Sequence, residues 1–258
     1  MLTPRKLASI SPGTRIRANH VASVLTRLNV TRICDCGCGM GIISTCLQDK
    51  GFKTIGFDLH PSLVAHAMEN HGLRGRYFVS DIRDLPFTDN CIESIVASDI
   101  IEHLESAHEA LMEIKRVLEP GGKAVMTIPN PLFETICTLF GLSQKDLGHH
   151  RVYSARHIKE IIRQSGLCLV EQRRVCHIGV AMADALIAKL AAVFFGNTVV
   201  HQSEMAFKAS SSQVLSRCYY GLWWCLFPVM AILERILPEW LGTENLITVS
   251  KVSETKAK

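Results

Sequence analysis

The sequence has no Cys-x-x-Cys pair although it carries ten cysteines. Knuckles that hold structural zinc use such pairs, so a zinc scaffold is not expected. No run of Lys or Arg is longer than two, and 28 basic residues against 24 acidic ones leave a formal charge of only +4. Electrostatics therefore give no reason to expect a nucleic-acid partner. The first residues, Met1-Leu2-Thr3-Pro4-Arg5-Lys6, lack a long apolar core and a small-residue cleavage site, so no secretory signal is expected. Together with unpaired cysteines this predicts a reducing, cytoplasmic setting. No internal repeat is visible.

What is present is 258 residues, 48% of them apolar, enough for one α/β domain with an elaboration. Hydrophobic periodicity predicts a helix over Thr14–Leu28, with Ile16, Val21, Val24, Leu25 and Leu28 near one face. Short apolar runs predict strands at Arg32–Cys34, Lys53–Phe57, Arg76–Ser80, Glu93–Ser98, Lys123–Ile128, Leu167–Val175 and Asn245–Lys251. Pro61 opens a helix. A charged helix runs from Ser106 to Leu118 and stops at Glu119-Pro120-Gly121-Gly122. Ser154 caps a further helix over Ala155–Gln164, closed by Gly166. Alternating strands and helices imply a mostly parallel sheet covered on both faces.

The chain is organised around Asp35-Cys36-Gly37-Cys38-Gly39-Met40-Gly41. Strand, glycine turn and helix present backbone N–H groups and a positive helix end to an anionic or polar ligand. Cys34, Cys36 and Cys38 read as small buried hydrophobes. Asp35, Asp58, Asp81 and Asp99 close successive strands, at the end where open α/β sheets bind ligands. One such Asp is ordinarily a turn former or helix cap. Four in register around a glycine loop point to a site. The spacing Gly37-x-Gly39-x-Gly41 is one residue short of the dinucleotide fingerprint, which disfavours a nicotinamide oxidoreductase.

With its leading acid, the loop resembles motif I of the class I S-adenosylmethionine-dependent methyltransferases. Gly56-Phe57-Asp58 resembles the second motif and Ser80 to Phe87 the third. Ser98-Asp99-Ile100-Ile101-Glu102-His103-Leu104 resembles the fourth, and Arg116 to Gly122 a further hallmark. The resemblance covers roughly residues 14 to 175, returns at 245 to 251, and leans towards small-molecule and quinone-type members. It implies a Rossmann-like, seven-stranded, mostly parallel sheet and S-adenosylmethionine as methyl donor. It also implies cofactor contacts at Asp35, Gly37, Gly39 and Gly41 for the methionine part, Asp58 and Leu59 for the ribose, and Asp81 and Ile82 for the adenine. Ser98 and Asp99 would lie beside the sulfonium. His103, His149 and His150 stand where the family builds its acceptor wall, and each is a candidate general base as well as an ordinary polar loop residue. No metal constellation is visible, so a cation-assisted, catechol-type mechanism is not expected.

The resemblance expects a short turn between strands six and seven. Here an apolar segment intervenes, dividing the chain into a core over 1–175, an insertion over 176–244, and a last strand with polar tail over 245–258. Ile178–Val200 holds only Asp184 and Lys189 as charges, and Cys218–Leu233 holds none. Paired Trp and Tyr favour a membrane interface. A helical lid over the acceptor, a monotopic element in one leaflet and a dimer surface all fit. The composition favours a lid that also touches membrane through 178–240. The expected function is methyl transfer to a small, lipophilic or membrane-linked acceptor: a quinone precursor, a lipid or a lipid-linked sugar. Alternatives are a protein or RNA methyltransferase, or a non-catalytic S-adenosylmethionine-binding scaffold.

Overall fold

Alternation of buried side chains along each strand builds the two faces of a single sheet. The computed structural model describes residues 12–71, 76–177 and 236–253, with 182 and 232 as isolated positions. The expected insertion over 176–244 lies almost wholly outside the described residues. In order come α1 (Pro12–Arg27), β1 (Arg32–Cys36), α2 (Ile42–Asp49), β2 (Lys53–Asp58), α3 (Pro61–His71), β3 (Arg76–Val79) and β4 (Ile92–Ser98). A 3-10 turn (Ile101–His103), α4 (Ala107–Val117), β5 (Leu118–Pro129), α5 (Pro131–Leu139), α6 (Gln144–Leu147), α7 (Ala155–Ser165), β6 (Cys168–His177) and β7 (Gly242–Ser250) follow.

The strands lie in the order β3-β2-β1-β4-β5-β7-β6. β1 to β5 pair in parallel, while β7 runs antiparallel to both β5 and β6. Ile95, Ala97, Ala124, Met126, Ile247 and Val249 pack on one face with Leu111 and Ile114 of α4 and Ile158, Ile161 and Ile162 of α7. Their neighbours Val96, Val125 and Leu246 pack on the other with Val21, Val24 and Leu25 of α1 and Leu47 of α2. Each Val, Leu, Ile or Met among them is worth about 1.5–3 kcal/mol on full burial, so a one-residue slip of a central strand would forfeit several.

The caps follow the sequence closely. Ser106 accepts from the Glu109 amide at 3.4 Å and Ser154 from the His157 amide at 3.2 Å. Gly166 closes α7 in the left-handed region at φ 71. Strand five starts earlier than expected: Glu119-Pro120-Gly121-Gly122 belongs to β5 rather than to a turn before it. The sheet absorbs these residues with a register irregularity between Ile92 and Ser94 of β4. The last two strands extend to His177 and resume at Gly242, so the interruption is shorter at both ends than 176–244. No helix among the described residues is long and apolar enough to cross a membrane.

Candidate active site

The order of the sheet reverses between β1 and β4. Ligands of open α/β sheets bind at such a switch point, outside the carboxyl ends of the strands. The glycine loop sits there. Its first amides are spent on β2: Gly37 and Cys38 both donate to the Phe57 carbonyl, at 2.7 and 2.9 Å. The Gly39 amide donates to Asp58 Oδ2 at 2.8 Å, and the His60 amide donates to Asp58 Oδ1 at 2.9 Å. Asp58 is thus held by one backbone N–H on each oxygen and keeps lone pairs beyond them.

Two glycines do different work. Gly41 caps α2 at φ 76, and a Cβ there would stand 2.8 Å from the Tyr77 hydroxyl. Gly39 also has positive φ, but a Cβ there would meet nothing within 4 Å. One glycine is needed inward, against buried Tyr77. The other leaves main chain bare for a ligand. That open cradle, backed by a carboxylate, is what a methionine chain and ribose diol require, so the residues fit S-adenosylmethionine.

Asp35 lies beneath the loop, 1% exposed, and accepts a 2.5 Å hydrogen bond from the Ser44 hydroxyl. Burial pushes its pKa up to about 6; Asp58 adds to the rise and the Ser44 bond opposes it. The expected cysteine role holds for the three in this stretch. Cys34, Cys36 and Cys38 are buried free thiols, with Cys34 and Cys36 Sγ 3.6 Å apart.

Asp81 follows β3, adjacent to Asp58 through the Ser80 amide, which donates to the Asp58 carbonyl at 3.0 Å. Its carboxylate holds the Arg83 guanidinium through contacts of 2.7 to 3.1 Å, and this pairing holds its pKa down. Ile82 is buried and Leu59 exposed. Arg116, from the hallmark before β5, donates to the Leu85 and Phe87 carbonyls and to Asp89, and so fixes the segment that carries Asp81.

Asp99 sits at φ 50 and is more committed than the sequence suggested. Arg17 Nη2 reaches Asp99 Oδ2 at 2.6 Å and Glu244 Oε1 at 2.5 Å. Thr127 donates to Asp99 Oδ1 at 2.8 Å and its hydroxyl also lies 2.7 Å from that of Ser98. Burial pushes the Asp99 pKa up to about 6, opposed first by Arg17. Arg17 and Glu244 carry no motif signal, and 227 residues separate them.

The three histidines divide. His103 and His149 come together, ring centroids 4.9 Å apart. His150 is exposed, and its backbone amide donates to the Glu102 carbonyl at 2.8 Å. His149 Nδ1 lies 2.5 Å from Glu134 Oε1, and His103 Nδ1 lies 2.9 Å from the Gly148 carbonyl. Contrary to the absence of a metal constellation in the sequence, the fold brings Glu102, His103 and His149 together, their ligand atoms within 4.8 Å of one another. The sequence could not show this because loop 148–151 meets the 3-10 turn through tertiary contacts, the His150 amide on the Glu102 carbonyl and His103 against the Gly148 carbonyl. Glu134 was missed because α5 was missed, although Asn130-Pro131 is an N-cap followed by a first-turn proline, and Asn130 does accept from the Leu132 and Phe133 amides.

A cavity of about 680 Å³ opens at the opposite end of the sheet, lined by Arg32, Lys53, Arg76 and Glu93 among others. It lies at the amino ends of the strands, away from the glycine loop.

Sheet order, glycine loop and the aspartates at the strand ends are the features expected of a class I S-adenosylmethionine-dependent methyltransferase domain. Residues 34–126 match the family model described as a methyltransferase domain. A malonyl-[acyl-carrier protein] O-methyltransferase of Pectobacterium atrosepticum is 32% identical over 35% of this chain and 36% of its own length. A ubiquinone biosynthesis O-methyltransferase of Rickettsia conorii is 30% identical over 38% of this chain and 35% of its own. The chain spans 21% to 58% of the first curated relatives it matches. A solved structure assigned as a sarcosine dimethylglycine methyltransferase, from Galdieria sulphuraria, superposes with a TM-score of 0.62 at 16% identity. It covers 92% of this chain and 85% of that one.

Proposed function

We propose that the chain transfers the methyl group of S-adenosylmethionine to a small acceptor. The observation that carries this is the loop itself: Gly39 offers open main chain while its amide holds Asp58 in place. The methyl donor supplies an activated sulfonium carbon, so the protein's task is largely placement. Asp58 accepts from the ribose diol, and Leu59 beside it packs on the sugar. Asp81 accepts from the adenine amino group by sharing its carboxylate with Arg83, and Ile82 lines the adenine's edge. Asp35 supplies negative charge beneath the methionine end, with Gly37 and Gly41 shaping the loop around it. Ser98 and Asp99 border the sulfonium, their orientation held by Thr127 and Arg17. The acceptor enters beside His103 and His149, and a hydroxyl acceptor loses its proton there.

The acceptor class we favour is lipophilic or membrane-linked, such as a quinone precursor, a lipid or a lipid-linked sugar. Support comes from the apolar composition over 178–240 and from relatives named for ubiquinone biosynthesis. Peripheral membrane contact of a cytoplasmic protein follows from the same composition.

Calorimetry of the full chain with S-adenosylmethionine and, separately, NAD is the test. Binding of the former alone, weakened at least tenfold in Asp58→Ala, is expected. Absence of S-adenosylmethionine binding, or an unchanged affinity in that variant, removes the proposal. Labelled methyl donor then screens acceptors, and pelleting with liposomes tests membrane contact.

A further inference from the structure

Glu102 is 1% exposed, and neither of its carboxylate oxygens has a hydrogen-bond partner among the described residues. A buried carboxyl without partners is costly and needs a physical explanation. Two imidazoles stand beside it. His103 and His149 each have Nδ1 against an oxygen acceptor, the Gly148 carbonyl and the Glu134 carboxylate. Rings held that way carry the proton on Nδ1 and leave Nε2 as the lone pair, and an acceptor behind the ring is the usual support of a metal-ligating histidine.

We propose that Glu102, His103 and His149 form a binding site for one divalent transition-metal cation, with Glu134 as the positioning residue behind His149. The carboxylate would then gain the partner that the described residues do not provide. Two imidazoles and one carboxylate suit Zn²⁺, Mn²⁺ or Fe²⁺ better than Mg²⁺, which takes oxygen donors and keeps water. Ligand atoms around zinc at about 2.1 Å stand roughly 3.4 Å apart in a tetrahedron. The observed spread of ligand atoms, within 4.8 Å, is about an ångström wider than that. Three protein ligands leave a position open, and an oxygen of the acceptor is the chemistry that fits it. This assignment rests on the methyl-transfer function proposed above, since it gives the acceptor its oxygen ligand, but binding of the cation can be measured without it.

The experiment is calorimetry of metal-stripped full-length protein with ZnCl₂ and with MnCl₂, alongside the visible spectrum on adding Co²⁺. One equivalent of cation, weakened at least a hundredfold in Glu102→Gln and His149→Ala and about tenfold to a hundredfold in Glu134→Gln, is expected. The Co²⁺ spectrum should show d–d bands that are lost in the same variants. Failure of the wild-type protein to bind any of the three cations overturns the assignment, as does binding that Glu102→Gln and His149→Ala leave intact. If His149→Ala does not fold, Glu102→Gln, nearly isosteric, decides. S-adenosylmethionine titrated into the same samples separates the two proposals: cation binding without donor binding removes the methyl-transfer function and leaves the cation site standing.

Discussion

Replacing Asp35 with Asn tests whether the glycine loop is built around a strained charge. The carboxylate is 1% exposed, and burial pushes its pKa to about 6 from an ordinary value of 3.8. The folded chain therefore keeps this proton through a window, about pH 4 to 6, in which the unfolded chain has lost it. Stability contributed by this group falls as pH rises through that window and stays low above it. At 1.36 kcal/mol per unit, a shift of about two units destabilises the folded chain by about 3 kcal/mol at neutral pH. Asn has the same shape, still accepts from Ser44, and carries no charge. Urea unfolding should find the variant more stable than wild type by about 1–3 kcal/mol at pH 7.5, with the gap closing towards pH 4. Calorimetry should find S-adenosylmethionine bound at least tenfold more weakly, because the cationic end of that ligand offsets the cost of the charge. A variant destabilised equally at both pH values would refute the reasoning, since the Ser44 hydrogen bond rather than the charge would then dominate.

Other substitutions probe the neighbouring parts. Asp58→Ala removes the acceptor of two loop amides and should cost about 1–3 kcal/mol in chemical unfolding in addition to weakening the methyl donor. Gly41→Ala places a methyl 2.8 Å from the Tyr77 hydroxyl at φ 76, and should lower stability by more than about 1 kcal/mol; an unchanged melting temperature counts against the packing described. Arg17→Met leaves half-buried Asp99 and buried Glu244 without their cation and should cost about 3–5 kcal/mol near neutral pH. Because Asp99, whose pKa is pushed up to about 6, can protonate, that loss should shrink at pH 5, and a pH-independent loss would show that packing of Arg17, not its charge, matters.

The local sequence determined a great deal here, because the relevant signals are short-range. Short apolar runs determined the strands, and Ser106, Ser154 and Gly166 determined helix ends through their own side chains or backbone freedom. The glycine spacing with its leading acid determined the loop, since positive φ at Gly41 and bare main chain at Gly39 are properties of those residues alone. Tertiary structure decided what each polar group is bonded to. Asp99 read as an acid at a strand end beside the sulfonium, and the approach of α1 and β7 commits it to Arg17, which it shares with Glu244. His103, His149 and His150 each read as a candidate base; the fold seats His103 and His149 against each other and turns His150 to solvent. Glu102 read as one letter of a motif, and its isolation beside two imidazoles exists only because loop 148–151 bonds to its carbonyl. Such contacts join residues tens to hundreds apart, so no periodicity or spacing encodes them. The glycine loop is legible because it is one turn of chain, while the cluster facing the acceptor is not because three separate segments meet to make it.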